Sequence, residues 1–437
     1  MKTRKLLAVS TVVLMGAVGL TACGGDDNGG SSGGTDGAGS GNASVELMMW
    51  HNSTTGPGKA FWDETAAQFM EANENVTVTI QTIQNEDMDG KLQTALNSGD
   101  APDVFMARGG GKLADIVEAG QVMDITDLIA DDVRPAIEGT LNAFSIDGKV
   151  YGMPTSVLPG GIYYNKTMFE EAGIEGTPET MAELDEAVEK LKGIGVEPIA
   201  LGGKAAWPAA HWYYFLALRH CSQDVMTEAA ASMSFDDACW TDAAQELADF
   251  AETEPFNSGY LTTEAQGSAA SSAGMIANDQ AAMELMGAWN PGVIADLTPD
   301  KQPKADLGWF AFPAVDGGAG DPTAMMGGVD GYACHVDSPV ECADFLNFFM
   351  SQERQEAYAE AFVTLPASQE AQGVVTDPAL LDVLAAYNGA AYVQVWLDTL
   401  FGQNVGNALN AGVVEMLAGN GTPEGVIKAV NDAAAKE

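Results

Sequence analysis

The sequence predicts an α/β protein folded as two lobes. Strand and helix signals alternate along its first folded segment, which implies a largely parallel sheet covered by helices. Once the leader and the tail behind it are set aside, roughly 390 residues remain, more than one hydrophobic core usually supports. Pro154, Pro159, Gly160 and Gly161 punctuate the chain densely, so a passage between lobes is expected near Thr155 to Gly160.

Residues 1–22 read as an export signal. Lys2, Arg4 and Lys5 supply a positive start, Leu6 to Leu20 is an uncharged apolar run, and Leu20-Thr21-Ala22-Cys23-Gly24 closes it. The run has the length of a signal-peptide core and falls short of the ~18 apolar residues of a membrane-spanning helix. A cysteine directly after small residues, at the end of such a core, resembles the bacterial lipoprotein signal. That resemblance implies that Cys23 carries lipid, palmitate included, and anchors the mature protein on the extracellular face of the cell membrane. Residues 23–43 are Gly- and Ser-rich with nothing to bury, so a flexible tether is expected there.

Ordered structure is expected from about Val45. Val45 to Trp50 is a short apolar strand; Phe61, Ala66, Phe69 and Met70 then recur at helical spacing, with Asp63, Glu64 and Glu71 on the wet face. Asn75 to Ile83 alternates apolar and polar residues with β-branched enrichment, a half-buried strand. A helix around Lys91 to Leu96 ends at Ser98-Gly99, and Asp103 to Ala107 reads as the next strand. Ser145 to Val150 carries Asp147-Gly148, whose turn chemistry predicts a tight hairpin. Ile162 to Asn165 opens a second run of helices through Lys192. No interior segment reads as a membrane span.

Charge narrows the function. The chain has 62 Asp+Glu against 19 Lys+Arg, a formal net charge of −43, and three of its basic residues leave with the signal. A polyanion of this size is repelled by nucleic acid and by anionic lipid, so neither is expected as a partner. Beyond Cys23 the cysteines fall as two local pairs, and an even count outside the cytoplasm suggests disulfides. Sequence proximity favours Cys221–Cys239 and Cys334–Cys342. Zinc lacks the close Cys-x-x-Cys spacing, and no metal or cofactor is expected.

Several strings resemble the extracellular sugar-binding lipoproteins of bacterial ABC importers, the class that includes maltose-binding protein. They are Met49-Trp50-His51, then Ser98 to Val104, Gly148 to Pro154, Tyr163 to Lys166, Ala282 to Trp289 and Leu365-Pro366-Ala367. Each is short; their order, behind a lipoprotein signal, carries the resemblance over essentially the whole mature chain. It implies a periplasmic-binding-protein-like fold, with residues 44–156 plus 313–361 in lobe one and 157–312 plus 362–437 in lobe two. Three crossings would join the lobes around a ligand cleft. It also implies a non-enzymatic cycle, in which a bound sugar stabilises the closed form and a membrane permease receives it. The protein is expected to act as a monomer on an oligosaccharide, with xylo-oligosaccharides as the leading guess.

Sugars present apolar ring faces and a rim of hydroxyls, so a binder needs aromatic platforms and planar hydrogen-bonding groups. Trp289, at the end of an apolar stretch, matches a family position where an aromatic stacks on ligand. Trp207 and His211 sit at a loop-to-helix junction, and Trp396 lies in the C-terminal part where the family often adds a platform. His51 and Asn52 end the first strand, where α/β sheets place ligands. Arg108 follows a strand and precedes three glycines, and its guanidinium suits adjacent hydroxyls. Asp330 follows Gly327-Gly328-Val329. Trp62, Trp240 and Trp309 read as structural, and Trp212 to Phe215 as helix core. The acidic cleft residues of maltose-binding protein have no clear counterparts, which leaves the sugar open.

Other signals fail. Gly109-Gly110-Gly111-Lys112 lacks the first glycine and the Ser/Thr of a phosphate loop. Asn85 to Gly90 begins like a calcium loop, but Leu96 stands where a bidentate Glu is required, so a helix start is expected. A glycoside hydrolase, needing two carboxylates at defined separation, is the rival from another class, and an adhesive surface lipoprotein is a third.

Overall fold

The computed structural model describes residues 44–436. The signal, the tether and Cys23 therefore lie outside the described residues. In chain order the strands are β1 Val45–His51, β2 Val76–Thr82, β3 Val104–Arg108, β4 Ser145–Ile146, β5 Lys149–Val150, β6 Met153–Val157 and β7 Gly160–Asn165. They continue with β8 Glu197–Ile199, β9 Ala281–Gly287, β10 Leu307–Phe310, β11 Met325–Gly327, β12 Val329–Cys334, β13 Leu365–Pro366 and β14 Val393–Val395.

The alternating βαβαβ start forms as expected. β1 pairs parallel with β2, Val45 opposite Val76, and with β3, Met49 opposite Val104. The helix Gly56–Ala72 buries Phe61, Trp62, Ala66 and Phe69 on the spacing that the sequence displays. The would-be calcium loop is the first turn of the helix Asn85–Ser98, which stops at Gly99 in the left-handed conformation. β4 and β5 pair through Asp147-Gly148, both with positive φ.

Two sheets organise the rest. One has the order β13-β6-β12-β3-β1-β2, the other β10-β7-β9-β8. The chain passes between them at Leu158-Pro159. It returns between β10 and β12, and β13 pairs antiparallel with β6, Leu365 opposite Val157. The larger sheet therefore reaches past residue 361, where the sequence reading ended the first lobe. That two-residue strand carries too little hydrophobic pattern to be read from sequence. β11 and β14 form a separate short parallel pair beside these passages.

Each sheet has its own core. Trp62 sits edge-on to Tyr332 and Phe349 on the larger sheet, while Trp212, Phe215 and Phe312 fill the second. The C-terminal helices join the second core through Leu397, Phe401, Val405, Leu409 and Val413. Cys221 is bonded to Cys239 and Cys334 to Cys342. The first closes a loop that ends next to the buried Trp240. Its loss in Cys221→Ser, Cys239→Ser should remove about 3 kcal/mol of stability, read by urea denaturation.

Glu284 of β9 is buried in the second sheet. Asn290 Nδ2 donates to its Oε2 at 2.8 Å, while Oε1 has no protein partner. Burial pushes its carboxyl from 4.5 up to about 7, against the hydrogen bond from Asn290. The folded chain thus keeps this proton to higher pH than the unfolded one, so the contribution is full below about pH 4.5 and lost as pH rises through 7. Glu284→Gln should flatten that fall by about 3 kcal/mol between pH 5 and 8. Equal slopes for both proteins in denaturation at the two pH values would contradict this.

Candidate functional site

Four of the expected aromatic residues meet in one cluster. Trp207 and His211 open the helix Trp207–His220, where Pro208 occupies the first turn and suits a helix start. Trp289 ends β9 and precedes the helix Asn290–Leu297. Its ring centroid lies 6.0 Å from Trp207, 6.3 Å from His211 and 6.1 Å from Trp396, edge-on to each. Trp396 stacks on His211 at 4.2 Å, nearly parallel. Burial pushes the His211 imidazole down to about 4 despite the field of Asp398, so it is neutral at physiological pH. His211 Nδ1 and Trp207 Nε1 are buried without a protein partner.

Trp396 is the most enclosed of the three tryptophans in the cluster. It is only 6 % exposed. Its indole lies against Gly160 and Gly328, where an added Cβ would come within 2.5 and 2.7 Å of the ring. Its backbone N–H donates to Gly327 O at 2.9 Å. One face is covered by His211 and the edge is seated on two of the passages between sheets.

An ionic network lies beside the aromatics. Arg108, at the end of β3, places Nε 3.2 Å from Asp89, Nη1 3.3 Å from Asp330 and Nη2 2.9 Å from Asn85 Oδ1. Asn52 Nδ2 donates to the same Asn85 oxygen at 3.1 Å. Lys112 Nζ joins Asp89 at 3.0 Å and Asp398 at 3.4 Å. Burial opposes charge on both cations, but the carboxylates outweigh it and hold Arg108 and Lys112 firmly protonated. Asp89 is in turn held well below the usual range, burial notwithstanding, by Arg108 and Lys112. Asp330 goes the other way, because burial exceeds the help it receives from Arg108. Asp398 carries the network back to the aromatics, two residues past Trp396.

Seven of the expected residues thus converge, and His51 does not. Its ring is fully buried against Trp62 at 5.7 Å, and Nδ1 accepts from Ser53 N at 3.1 Å. Burial pushes it down to about 4, so it is a neutral core histidine at the strand end. Trp62, Trp240 and Trp309 are core residues as expected, although Trp309 lies on an edge strand.

A family model described as bacterial extracellular solute-binding protein matches residues 51–373. The chain belongs to this family. Among relatives of this solute-binding protein, an uncharacterized ABC transporter extracellular-binding protein of Pyrococcus horikoshii is 24 % identical over 76 % of this chain and 74 % of its own. The diacetylchitobiose binding protein DasA of Streptomyces coelicolor is 31 % identical over 49 % of this chain and 48 % of its own. A solved structure from work on xylan utilization by Caldanaerobius polysaccharolyticus superposes with a TM-score of 0.81. It is 25 % identical and covers 89 % of this chain and 99 % of the other. A chitin oligosaccharide binding protein superposes with a TM-score of 0.79 at 24 % identity, covering 90 % and 98 %. These neighbours fix the architecture of this solute-binding protein as the two-domain sugar-receptor type. Among the described residues no helix is long and apolar enough to cross a membrane.

Sequence reasoning missed Asn85, Asp89, Lys112 and Asp398. Asn85 and Asp89 sat inside the rejected calcium loop and Lys112 inside the rejected phosphate loop. In this solute-binding protein those strings carry network residues, but the partners lie far away in sequence.

Proposed function

We propose that this protein captures a short oligosaccharide between its two lobes and delivers it to an ABC permease, anchored to the outer face of the membrane through Cys23. The observation that carries the reading is the junction of the aromatic cluster of Trp207, His211, Trp289 and Trp396 with the Arg108–Asp89–Lys112–Asp398 network. Aromatic faces suit the C–H faces of sugar rings, and carboxylates pre-oriented by cations suit hydroxyls. Lobe one is taken as 44–156 plus 313–361 extended through β13, and lobe two as 157–312 plus the remainder. The aromatics come from lobe two and most of the network from lobe one, so a ligand touching both favours closure.

The ligand class is a short chain of the xylan or chitin kind. The likeness to the structure from the xylan study supports the first and the match to DasA the second. Capture without cleavage is the reading that membership of the solute-binding family supports. The test is a thermal-shift screen of xylobiose, xylotriose and diacetylchitobiose, with chromatography of each mixture. A rise in melting temperature with intact sugar supports capture. Hydrolysed product, or no shift with any of the three, overturns it.

A further inference from the structure

Charge is unevenly shared in the polar half of the site. Two cations, Arg108 and Lys112, face three carboxylates, Asp89, Asp330 and Asp398. Each cation already meets two of them. Arg108 joins Asp89 at 3.2 Å and Asp330 at 3.3 Å, and Lys112 joins Asp89 at 3.0 Å and Asp398 at 3.4 Å. One negative charge is left over. The aromatic half supplies no cation to offset it, because His211 is neutral. Lys204, three residues before Trp207, pairs with Glu264 at 2.7 Å. The whole chain adds a field of the same sign, with a formal net charge of −43.

Asp330 is the least satisfied of the three carboxylates. Asp89 accepts from Arg108 on one oxygen and from Lys112 on the other. Asp398 accepts from Lys112, Asn410 and Thr399. Among the described residues the Asp330 carboxylate accepts a single hydrogen bond, from Arg108 on Oδ2, and its side chain stays 19 % exposed. It also stands close to the aromatics, two residues past Gly328, on which the Trp396 indole rests. A ligand carboxylate brought here would meet a charge of its own sign and cations already paired, in a place partly shielded from water. A ligand hydroxyl meets no such opposition, since it donates to Asp330.

We propose that Asp330 makes the site a charge filter, which admits uncharged oligosaccharides and turns away those that carry a uronate. The inference rests on the site reading of the proposed function and deepens it by fixing the charge class of the ligand. Discrimination of this kind comes from repulsion of the wrong ligand, with no added contact to the right one. It separates plain xylan fragments from fragments with glucuronate branches, which share a backbone and differ in one carboxylate.

The experiment is titration calorimetry on the intact chain with two matched sets of sugars. One is xylotriose, xylotriose with a glucuronate branch, and the methyl ester of that acid. The other is diacetylchitobiose, its 6-carboxylate, and the methyl ester of that acid. Each ester keeps the bulk of its acid and removes the charge. In the set whose parent sugar binds, the ester should follow the parent and the acid should bind about tenfold or more weakly. Asp330→Asn should narrow the ratio between acid and ester, whereas a merely structural loss would weaken both alike. Asp330→Ser, of smaller bulk, is the second variant and carries the same expectation if the first does not fold. An acid that binds as well as its ester overturns the filter and leaves sugar capture standing. An ester that fails along with its acid also overturns it, since bulk is then the cause. An unchanged ratio in the variants takes Asp330 out of the role. No binding by either parent sugar removes the capture reading, and the filter falls with it.

Discussion

Trp289→Ala is expected to weaken binding of the captured oligosaccharide by on the order of 2 kcal/mol or more, about thirtyfold in Kd. Three aromatic neighbours surround this indole edge-on, and like Trp207 it is more exposed than Trp396 or His211, so it joins the cluster while keeping surface for a ring. Truncation would remove stacking area and also leave Trp207 and His211 without a wall. Titration calorimetry on wild type and variant, with the best sugar from the screen, measures it. An unchanged Kd would take Trp289 out of the site. Trp396→Leu gives the contrast: seated on Gly160 and Gly328, it should lower the melting temperature as well as affinity.

Arg219→Met should cost about 3 kcal/mol or more of folding stability. Arg219 is 2 % exposed near the C-terminal end of the helix Trp207–His220. Its guanidinium donates to the carbonyls of Phe312, Pro313, Asp321 and Ala324. The same segment answers back: Gly320 N–H donates to Arg219 O and Ala319 N–H to His220 O, capping the end of the helix. Burial pushes the guanidinium down only to about 10, despite help from Tyr392 and Asp321, so it stays charged at neutral pH. A methionine of similar bulk leaves those carbonyls with no donor. Arg219→Lys should recover little, because an ammonium cannot span four carbonyls as a planar fork does. Urea denaturation of the three proteins tests both statements; equal midpoints would contradict them. The segment leads from β10 to β11, so the substitution should also loosen the passage between the halves.

Much of the fold was legible because its signals are local. The alternation of Asn75 to Ile83, the spacing of Phe61, Ala66 and Phe69, and Asp147-Gly148 each act within a few residues, and each formed the element it predicts. The strand β13 was not legible, since two residues carry no period and owe their place to pairing with β6. Residue type pointed to Trp207, Trp289, His211, Arg108 and Asp330, which the structure brings into one region, because aromatic rings and a guanidinium at loop junctions suit a sugar. His51 misled: a strand end places a side chain near the cleft, but the space beside Trp62 took its ring into the core.

The sequence by itself determined the alternating α/β plan, the strong acidity, the local cysteine pairs and the residue types that suit a sugar. All of these depend on composition or on neighbours within one or two turns of chain. Only the tertiary structure decided that Asp89, Lys112 and Asp398 share one network, and that Asp115 caps a helix almost three hundred positions away. It also decided that Trp396 is buried against Gly160 and Gly328, at the passages between the sheets. Those outcomes depend on which surfaces meet when two sheets and their helices pack, and no local pattern encodes such a meeting.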